Sequence, residues 1–221
     1  MSGAGEAAAD AAATTLKSGA AALGLALGDA QFEQLLAYLG LIQKWNRVYN
    51  LTAVRNPQEM LTHHLLDSLT AVAPLLRHTC GRPAKVLDVG SGGGLPGIVL
   101  AVCRPELDVR CVDTVGKKAA FIQQVAASLK LPNLQGVHAR VETLAGPFDV
   151  ICCRAFAALP DFVRWSRQAL APDGVWMAMK GKLPQAEIDA LPADVQVFHV
   201  EPLQVPGLDA ERCMVWLRPR P

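Results

Sequence analysis

The sequence predicts an open α/β fold, in which a mostly parallel, Rossmann-like sheet of seven strands follows a small N-terminal helical cap. Three observations lead to this prediction. Lys85–Gly97 (KVLDVGSGGGLPG) combines a short apolar strand, a glycine turn and the start of a helix. From Lys85 onward, strand-like and helix-like segments alternate, which is typical of βαβ units and a parallel sheet. The last two strands are separated by a Pro/Gly loop, so we expect them to pair as an antiparallel hairpin.

The residues before the sheet predict a tail and a helical cap. Residues 1–28 are rich in Ala, Gly and small polar residues, so we expect a loosely ordered tail. Residues 29–80 form the predicted cap, and residues 81–221 form the main domain. The first cap helix is expected to begin at a candidate N-cap, Asp29, and to end at Tyr49. Its apolar positions keep the helical period: Phe32, Leu35, Leu36, Leu39, Ile42 and Trp45.

A second cap helix begins with a clear signal. Asn56 can cap it, Pro57 takes the first helical position, and Glu59 stands three residues after the cap, as in a capping box. One helical turn separates His63 from Asp67 and His64 from Ser68. We interpret His64, Asp67 and Ser68 as a structural network that ties the cap to the sheet. The buried stripe is expected to be Leu61, Leu65, Leu69 and Val72.

Seven strands and three helices are predicted after the cap. The strands are Lys85–Val89, Asp108–Asp113, 135–139, Phe148–Cys153, Val175–Met179, 195–201 and 212–217, and the helices begin at Ile98, Gly116 and Leu159. The fourth strand is apolar throughout, as a central parallel strand should be. A turn is expected at 172–174, Pro-Asp-Gly, between the third helix and the fifth strand.

The composition limits the possible classes of protein. Lys and Arg number 21 against 20 acidic residues, so a strongly basic nucleic-acid-binding coat is disfavoured, although a local basic patch is possible. The six cysteines form no CxxC pair, and we expect reduced, mostly buried thiols. No export or membrane-spanning segment is evident, so the cytoplasm is the expected location.

The glycine stretch indicates which ligand it holds. Gly92–Gly97 satisfies the Gly-x-Gly-x-x-Gly pattern of dinucleotide-binding enzymes, but the strand ends at Val89 and the first turn glycine is therefore Gly90. From there the pattern is Asp88-x-Gly-x-Gly-x-Gly, with glycines at 90, 92 and 94, which is typical of class I S-adenosylmethionine methyltransferases. Asp88 could receive the ammonium of that ligand, and Asp113, at the end of the second strand, could bind the ribose hydroxyls. An NAD enzyme, or glycines that only form a tight loop, remain alternatives.

Short motifs on both sides of the glycine stretch narrow the family. They are Trp45-Asn46, Asn50-Leu51-Thr52, the segment from His64 to Ser68, Asp88–Gly97, Val112-Asp113, Lys117-Lys118, Arg140–Glu142, Arg154–Phe156 and Lys180-Gly181. Together they make residues 30–217 resemble the ribosomal RNA small subunit methyltransferase G family, formerly called glucose-inhibited division protein B. This resemblance implies methyl transfer from S-adenosylmethionine to N7 of one guanine in 16S rRNA.

The resemblance also implies roles for individual residues. Gly90 and Leu95 would line the cofactor, Asp113 would bind its ribose, the pair Val141 and Glu142 would border the adenine, and Arg154 would face the methyl-transfer site. Two departures stand out. His63 occupies a position where the family usually has Arg or Lys, and the first thirty residues have no firm counterpart, so we assign them no function.

The expected chemistry is an in-line displacement at the sulfonium methyl. Guanine N7 carries a free lone pair, so no general base is needed, and proximity supplies most of the catalysis. We expect Arg154 or Lys180 to hold guanine O6 or a phosphate and to leave N7 free. Cys152 and Cys153 lack the preceding proline expected of a nucleophile for cytosine C5 methylation. Two adjacent histidines project about 100° apart on a helix, so no metal site is expected.

Three competing functions remain at this point. The modest net charge favours a methyltransferase of the same fold that acts on a small molecule or protein. The domain could also be a non-catalytic nucleotide- or RNA-binding module, or an NAD oxidoreductase. For the leading interpretation we expect 16S rRNA or the small ribosomal subunit as partner, no membrane or metal, and a monomeric protein.

Overall fold

A computed structural model describes residues 3–220, with side chains from residue 7 onward. One seven-stranded sheet has the strand order β3-β2-β1-β4-β5-β7-β6. Strands β1 to β5 pair in parallel, whereas β7 is antiparallel to both β5 and β6. The predicted fold class is therefore confirmed, including the C-terminal antiparallel hairpin. The strands are β1 (Lys85–Val89), β2 (Asp108–Asp113), β3 (Leu134–His138), β4 (Phe148–Arg154), β5 (Leu170–Lys180), β6 (Val195–Pro202) and β7 (Cys213–Pro219).

The helices form the cap and cover both faces of the sheet. Those of the cap are α1 (Gly3–Ala22), α2 (Asp29–Tyr49), α3 (Pro57–Met60), a π-helix (Leu61–Leu66), α4 (Asp67–Leu69) and α5 (Val72–Thr79). Those between the strands are α6 (Gly97–Cys103), α7 (Gly116–Ser128), α8 (Leu159–Ser166) and α9 (Gln185–Asp189), with single 3₁₀ turns at Val141–Thr143 and Arg167–Ala169. None of the helices within residues 3–220 is long and apolar enough to cross a membrane.

Alternate side chains of the strands feed two hydrophobic cores. In β1, Val86 belongs to the core beneath the cap, α6 and α7, whereas Leu87 and Val89 belong to the core beneath α8. The chain order reverses between β1 and β4, which are neighbours in the sheet. In an open α/β sheet a ligand binds at the carboxyl ends of the strands at such a switch point. The fold thus places the glycine stretch and the end of β4 on the two sides of one crevice.

The prediction of a loosely ordered tail over residues 1–28 is wrong for Gly3–Ala22, which form α1, and residues 1 and 2 lie outside the described residues. Alanine has the highest intrinsic helix propensity, and α1 has an apolar side to bury. Leu16 and Ala20, one turn apart on α1, are fully buried in the main core, and Gly19 packs against Leu66 of the π-helix. Only tertiary contacts reveal this burial, since the composition by itself resembles a disordered segment.

Two other predictions need correction. Gly28, and not Asp29, caps α2, and its N–H donates to Gln31 Oε1 at 3.0 Å. The predicted turn at 172–174 lies inside β5, which begins at Leu170. Leu170 pairs with Phe148 and Val175 pairs with Val150, so β5 has three more residues than β4 between these two pairs. A register shift between the strands accommodates them.

Candidate active site

The glycine loop folds tightly over the end of β2. The N–H groups of Gly90 and Ser91 both donate to the carbonyl of Val112, at 3.0 and 3.2 Å. Gly90 and Gly92 have φ angles of 64° and 58°, in the left-handed region that favours glycine. A Cβ built on Gly90 would overlap the ring of Phe156. The Phe156 ring therefore packs directly on the Gly90 backbone, whereas the backbone of Gly92 and Gly93 has open space beside it.

The larger cavity of the crevice, which we call the strand-end cavity, has a volume of about 350 Å³. Its walls come from the ends of β1 and β2, the 3₁₀ turn at Val141–Thr143, and the segment that follows β4. Phe156 and Trp165 form an aromatic wall, with ring centroids 5.8 Å apart. The volume lies within the rough range of 300 to 1,000 Å³ for small-molecule sites. The lining residues that carry the later argument are Gly90, Asp113, Lys118, Val141, Glu142 and Phe156.

A second cavity, the loop cavity, has a volume of about 200 Å³ and lies between the glycine loop and the cap. Gly90, Lys118 and Ala155 line both cavities, so the two lie side by side, and we call the pair the trench. The cap closes the trench on one side, through residues of α2, of the segment that follows it, and of the π-helix. The other lining residues of the loop cavity are Ile42, Leu51, Thr52, His64, Ser91, Gly92, Gly93, Leu95 and Arg154.

Asp113 connects the glycine loop to the end of β2. Its Oδ2 accepts the Gly92 N–H at 3.0 Å, and its Oδ1 accepts the Val115 N–H at 2.8 Å. Lys118 Nζ lies 3.8 Å from Oδ2 and compensates the charge. The carboxylate lines the strand-end cavity, so a hydroxyl donor in that cavity could share its remaining lone pairs.

Asp88 lies beneath the loop and is not among the residues that line either cavity. Its Oδ2 accepts the Gly97 N–H at 2.9 Å, while its Oδ1 has no hydrogen-bond partner among the described residues. Burial raises the pKa of Asp88 to about 7, against the opposing effects of the Gly97 N–H and of Arg154. The hydrogen bond from Gly97 to Oδ2 holds the loop to β1. Contact between Asp88 and the ammonium of the ligand stays a prediction, and Oδ1 is the oxygen that could make it.

Replacing Asp88 by asparagine should change how stability depends on pH. The folded protein holds the Asp88 proton up to about pH 7, whereas the unfolded chain releases it near pH 4. The Asp88 contribution to the free energy of unfolding therefore falls by about 1.4 kcal/mol per pH unit as the pH rises through that window. His64, whose pKa is lowered to about 4 by burial first and by Arg154 second, contributes the opposite slope between about pH 4 and 6.5.

Urea unfolding of the wild type and of Asp88→Asn at several pH values between about 4.5 and 7.5 measures this difference. We expect the wild-type curve to be nearly flat below pH 6.5, because the two groups oppose each other, and the variant curve to rise. The asparagine can still accept the Gly97 N–H, so the loop contact is kept. Parallel curves for the two proteins would contradict the assignment of the proton to Asp88.

Arg154, at the end of β4, is held from the cap side. Its Nη1 donates to Asp67 Oδ2 and to the carbonyl of His63, both at 2.7 Å. Asp67 is almost fully buried and also accepts from Arg212 Nε through Oδ1, at 2.8 Å. One carboxylate thus joins the cap, the end of β4 and the residue before β7. This geometry agrees with the predicted structural network for Asp67, and it leaves other guanidinium donors of Arg154 at the wall of the loop cavity.

A π-helix leads into this network at Asp67. Its wider turn runs from Leu61 to Leu66, directly before Asp67, and such segments occur frequently at functional sites. His64 Nε2 lies 2.8 Å from Thr52 Oγ1, and both residues line the loop cavity. Because the pKa of His64 is low, its ring is neutral at physiological pH. Because Leu61–Leu66 is a π-helix, the α-helical turn spacing predicted for this segment is wrong. The burial of Leu61 and Leu65 is as predicted.

The structure does not place Lys180 in the trench. Its Nζ donates to the carbonyl of Ala157 and to Glu187 Oε2, both at 2.8 Å, and it is not among the residues that line either cavity. Glu187 Oε2 also accepts the Leu159 N–H at 2.7 Å. In the structure Lys180 therefore fixes α9 and the start of α8. Its role in positioning the guanine stays a prediction.

The trench brings together most of the predicted site residues. Gly90, Asp113, Val141 and Glu142 line the strand-end cavity, and Gly90, Gly92, Leu95 and Arg154 line the loop cavity. Gly94 lies outside both cavities and packs against Ile98 of α6. Sequence reasoning missed Phe156 and Trp165 as an aromatic wall. A weak signal was available for Phe156, because it follows Arg154 in one of the motifs that define the family resemblance.

The cysteines are free thiols, and most of them are buried. None of the six, all within the part of the chain that the structure describes, forms a disulfide, and five are buried. Burial raises the pKa of the Cys152 thiol well above its ordinary value, and the same holds for Cys153. Neither can supply a thiolate nucleophile to the trench at neutral pH.

Comparisons with known proteins agree with this geometry. Residues 31–215 match the family model described as rRNA small subunit methyltransferase G. The chain is 71% identical over 212 residues to "Ribosomal RNA small subunit methyltransferase G" of Acidovorax sp. (strain JS42), covering 92% of this chain and 94% of that protein. It is 66% identical over 224 residues to the protein of the same name from Paracidovorax citrulli (strain AAC00-1), covering 96% of this chain and 92% of that one.

Solved structures show the same fold at low identity. Magnesium protoporphyrin IX methyltransferase from Synechocystis PCC 6803, with bound SAM, matches with a TM-score of 0.59 and 16% identity, over 89% of this chain and 99% of that chain. TrmN from Thermus thermophilus matches with a TM-score of 0.55 and 20% identity, over 72% of this chain and 53% of that chain.

Proposed function

The chain belongs to the rRNA small subunit methyltransferase G family, and we propose that it transfers a methyl group from S-adenosylmethionine to N7 of one guanine in 16S rRNA. Family membership over residues 31–215 is the observation that carries the proposal. The trench supports it, because a ligand cavity on the sheet side meets a second cavity that is closed by the family-specific cap motif and by Arg154.

The described residues fit an adenosyl donor. The strand-end cavity has the carboxylates of Asp113 and Glu142 for the ribose and adenine edges, with Val141 and the ring of Phe156 as apolar walls. The open backbone of Gly92 and Gly93 lines the loop cavity together with Arg154. The donor, when bound, supplies a methyl group activated by its sulfonium. The residues that would hold it are Gly90, Gly92, Leu95, Asp113, Val141 and Glu142.

The chain's own task is to hold and orient the guanine. N7 is already a nucleophile with a free lone pair, so no residue has to remove a proton from it. The low pKa of His64 makes this residue a weak base, which agrees with a reaction that needs no general base. Proximity of aligned reactants can contribute up to about 7 to 11 kcal/mol. Arg154, held by Asp67, can donate to guanine O6 or to a phosphate, since a donor on N7 itself would block the attack.

Methyl transfer onto defined RNA tests the proposal. Small subunits from cells that lack this protein, free 16S rRNA and total cellular protein would each be incubated with labelled S-adenosylmethionine and the purified enzyme. We expect label in 16S rRNA at a single guanine, and chain cleavage there after borohydride and aniline treatment, which N7 methylation permits. Label only in protein, or on an exocyclic amine, would contradict the proposal.

Three further expectations belong to the same proposal. The enzyme should act as a monomer in the cytoplasm, where its rRNA substrate is found, and the small subunit should be its partner. Sedimentation of the purified enzyme with and without small subunits measures the first and third points together.

A further inference from the structure

A third cavity, of about 210 Å³, lies next to the loop cavity. Asn50 and Arg55 line it, whereas Leu51 and Thr52, between them in the chain, line the loop cavity. Asn50 and Thr52 are two residues apart, which an extended chain spans in at most about 7 Å. The two cavities are therefore close neighbours. We call the third cavity the arginine pocket, and it is lined by Gln43, Asn46, Arg47, Asn50, Arg55, Pro57 and Met60.

The arginine pocket is positively charged and has no acidic lining residue. Across the part of the chain that the structure describes, neither Arg47 nor Arg55 has a carboxylate within 4.0 Å. Arg154 and Arg212, in contrast, share the buried carboxylate of Asp67. Two exposed guanidiniums that converge on one pocket without a counter-charge favour an anionic ligand, and their planar forks match phosphate oxygens.

The wall of the pocket is fixed by the chain that separates it from the loop cavity. Asn46 is buried, and its Oδ1 accepts the Thr52 N–H at 2.9 Å while its Nδ2 donates to the Val54 carbonyl at 3.2 Å. Met60 is also buried and gives the pocket an apolar floor. Gln43 and Asn50 add carboxamides that can both donate and accept. Such a set can hold a planar base beside a phosphate.

We propose that the arginine pocket binds a nucleotide of the rRNA next to the target guanine, with its phosphate on Arg47 and Arg55 and its base against Met60. The proposal rests on the proposed function, and it names a part of the RNA that the methyl-transfer site itself does not hold. An extended strand that enters the loop cavity can reach the arginine pocket in one nucleotide step, because only the segment between Asn50 and Arg55 separates the two. A modest net charge is compatible with this, since the basic groups are concentrated at one place.

The test compares Arg47→Gln, Arg55→Gln and the double variant with Arg82→Gln. Arg82 precedes β1 and so lies at the amino-terminal edge of the parallel strands, away from the trench, and its Nε donates only to a local carbonyl. Methylation kinetics on 16S rRNA and direct binding of a fluorescent 16S rRNA fragment, by anisotropy, are both measured over a series of salt concentrations. Calorimetry with S-adenosylhomocysteine checks the donor site.

For each single pocket variant we expect KM for rRNA and the dissociation constant of the fragment to rise about tenfold, which is the effect of one lost charge-assisted hydrogen bond. The kcat and the affinity for S-adenosylhomocysteine should stay within twofold of the wild type. The slope of log K against log salt should become shallower by about one per arginine removed, because one phosphate contact is lost. Arg82→Gln should match the wild type in every measurement.

The outcomes separate the two proposals. Wild-type protein that methylates rRNA, with pocket variants that bind the fragment like Arg82→Gln, would overturn the pocket proposal and leave the proposed function intact. Wild-type protein that binds the fragment through the arginines but methylates no rRNA would support the pocket and overturn the proposed function. Absence of any fragment binding by the wild type would overturn the pocket proposal, and the proposed function would then be decided by methylation of small subunits alone. Loss of S-adenosylhomocysteine binding in the pocket variants would also count against the proposal.

Discussion

Replacing Gly90 by valine should raise the dissociation constant for S-adenosylmethionine at least 100-fold, which corresponds to about 2.7 kcal/mol. Gly90 has a φ of 64°, a region that costs an L-residue roughly 1 to 2 kcal/mol and a β-branched residue more. The new side chain would also overlap the ring of Phe156, which forms one wall of the strand-end cavity. Either the loop or the Phe156 ring has to move to make room for the new side chain. Because Gly90 lines both cavities, each of these movements narrows the trench.

Calorimetry with S-adenosylmethionine and with S-adenosylhomocysteine measures this effect, and thermal unfolding shows whether the variant still folds. Gly40→Ala is the matched control, since it lies inside α2 with no heavy atom within 4 Å of the added Cβ. That substitution should leave binding unchanged and stabilise the protein slightly. Comparison of Gly90→Ala, Phe156→Ala and the double variant separates the two causes, because Phe156→Ala removes the overlap and keeps the backbone strain, while the single Phe156→Ala variant measures the loss of the cavity wall. A Gly90→Val protein that binds the donor like the wild type would refute the proposed ligand position.

Much of the sheet could be predicted from the sequence, because its strands are short apolar runs bounded by Gly, Pro and Asn. The bounds predicted for β1 and β2 agree with the structure, and the hairpin of β6 and β7 pairs as expected. The cap was harder to predict. Helix α1 depends on the burial of Leu16 and Ala20 by other elements, and nothing in the local pattern distinguishes the π-helix from an α-helix.

The candidate site was predictable to the extent that backbone motifs define it. The glycine pattern and the end of β2 identify Gly90 and Asp113, since parallel strands present their carboxyl ends to one crevice. The same reasoning led to the prediction of Lys180 at the site, but Lys180 does not line the trench in the structure. It also ends a parallel strand, but β5 lies one strand beyond the β1/β4 switch point, and Glu187 of α9 holds its ammonium there. Since α9 was not predicted, its carboxylate could not be taken into account.

Replacing Arg154 by alanine should reduce kcat/KM for rRNA methylation about 100-fold or more, while Arg212→Ala should leave it within about threefold of the wild type. Misplacing a reactant by about 1 Å can cost a factor of this size. Both arginines donate to the buried carboxylate of Asp67, at 2.7 and 2.8 Å, and both are mostly buried. Only Arg154 lines the loop cavity, so the two variants remove equivalent ion pairs at different distances from the trench.

The stability of the two variants makes the comparison interpretable. Each leaves Asp67 with one remaining cationic partner, so each should lower the free energy of unfolding by about 1 to 3 kcal/mol, less than for a carboxylate left with none. Asp67→Ala leaves two partly buried guanidiniums without their anion and should cost more than either, which urea unfolding can rank. If Arg154 were only a structural bridge between cap and sheet, methylation would fall in parallel with stability, and Arg154→Ala and Arg212→Ala would lose activity equally. A large loss confined to Arg154→Ala, at a stability matched by Arg212→Ala, would support a role of Arg154 toward the substrate, because Arg154 lines the loop cavity and Arg212 does not.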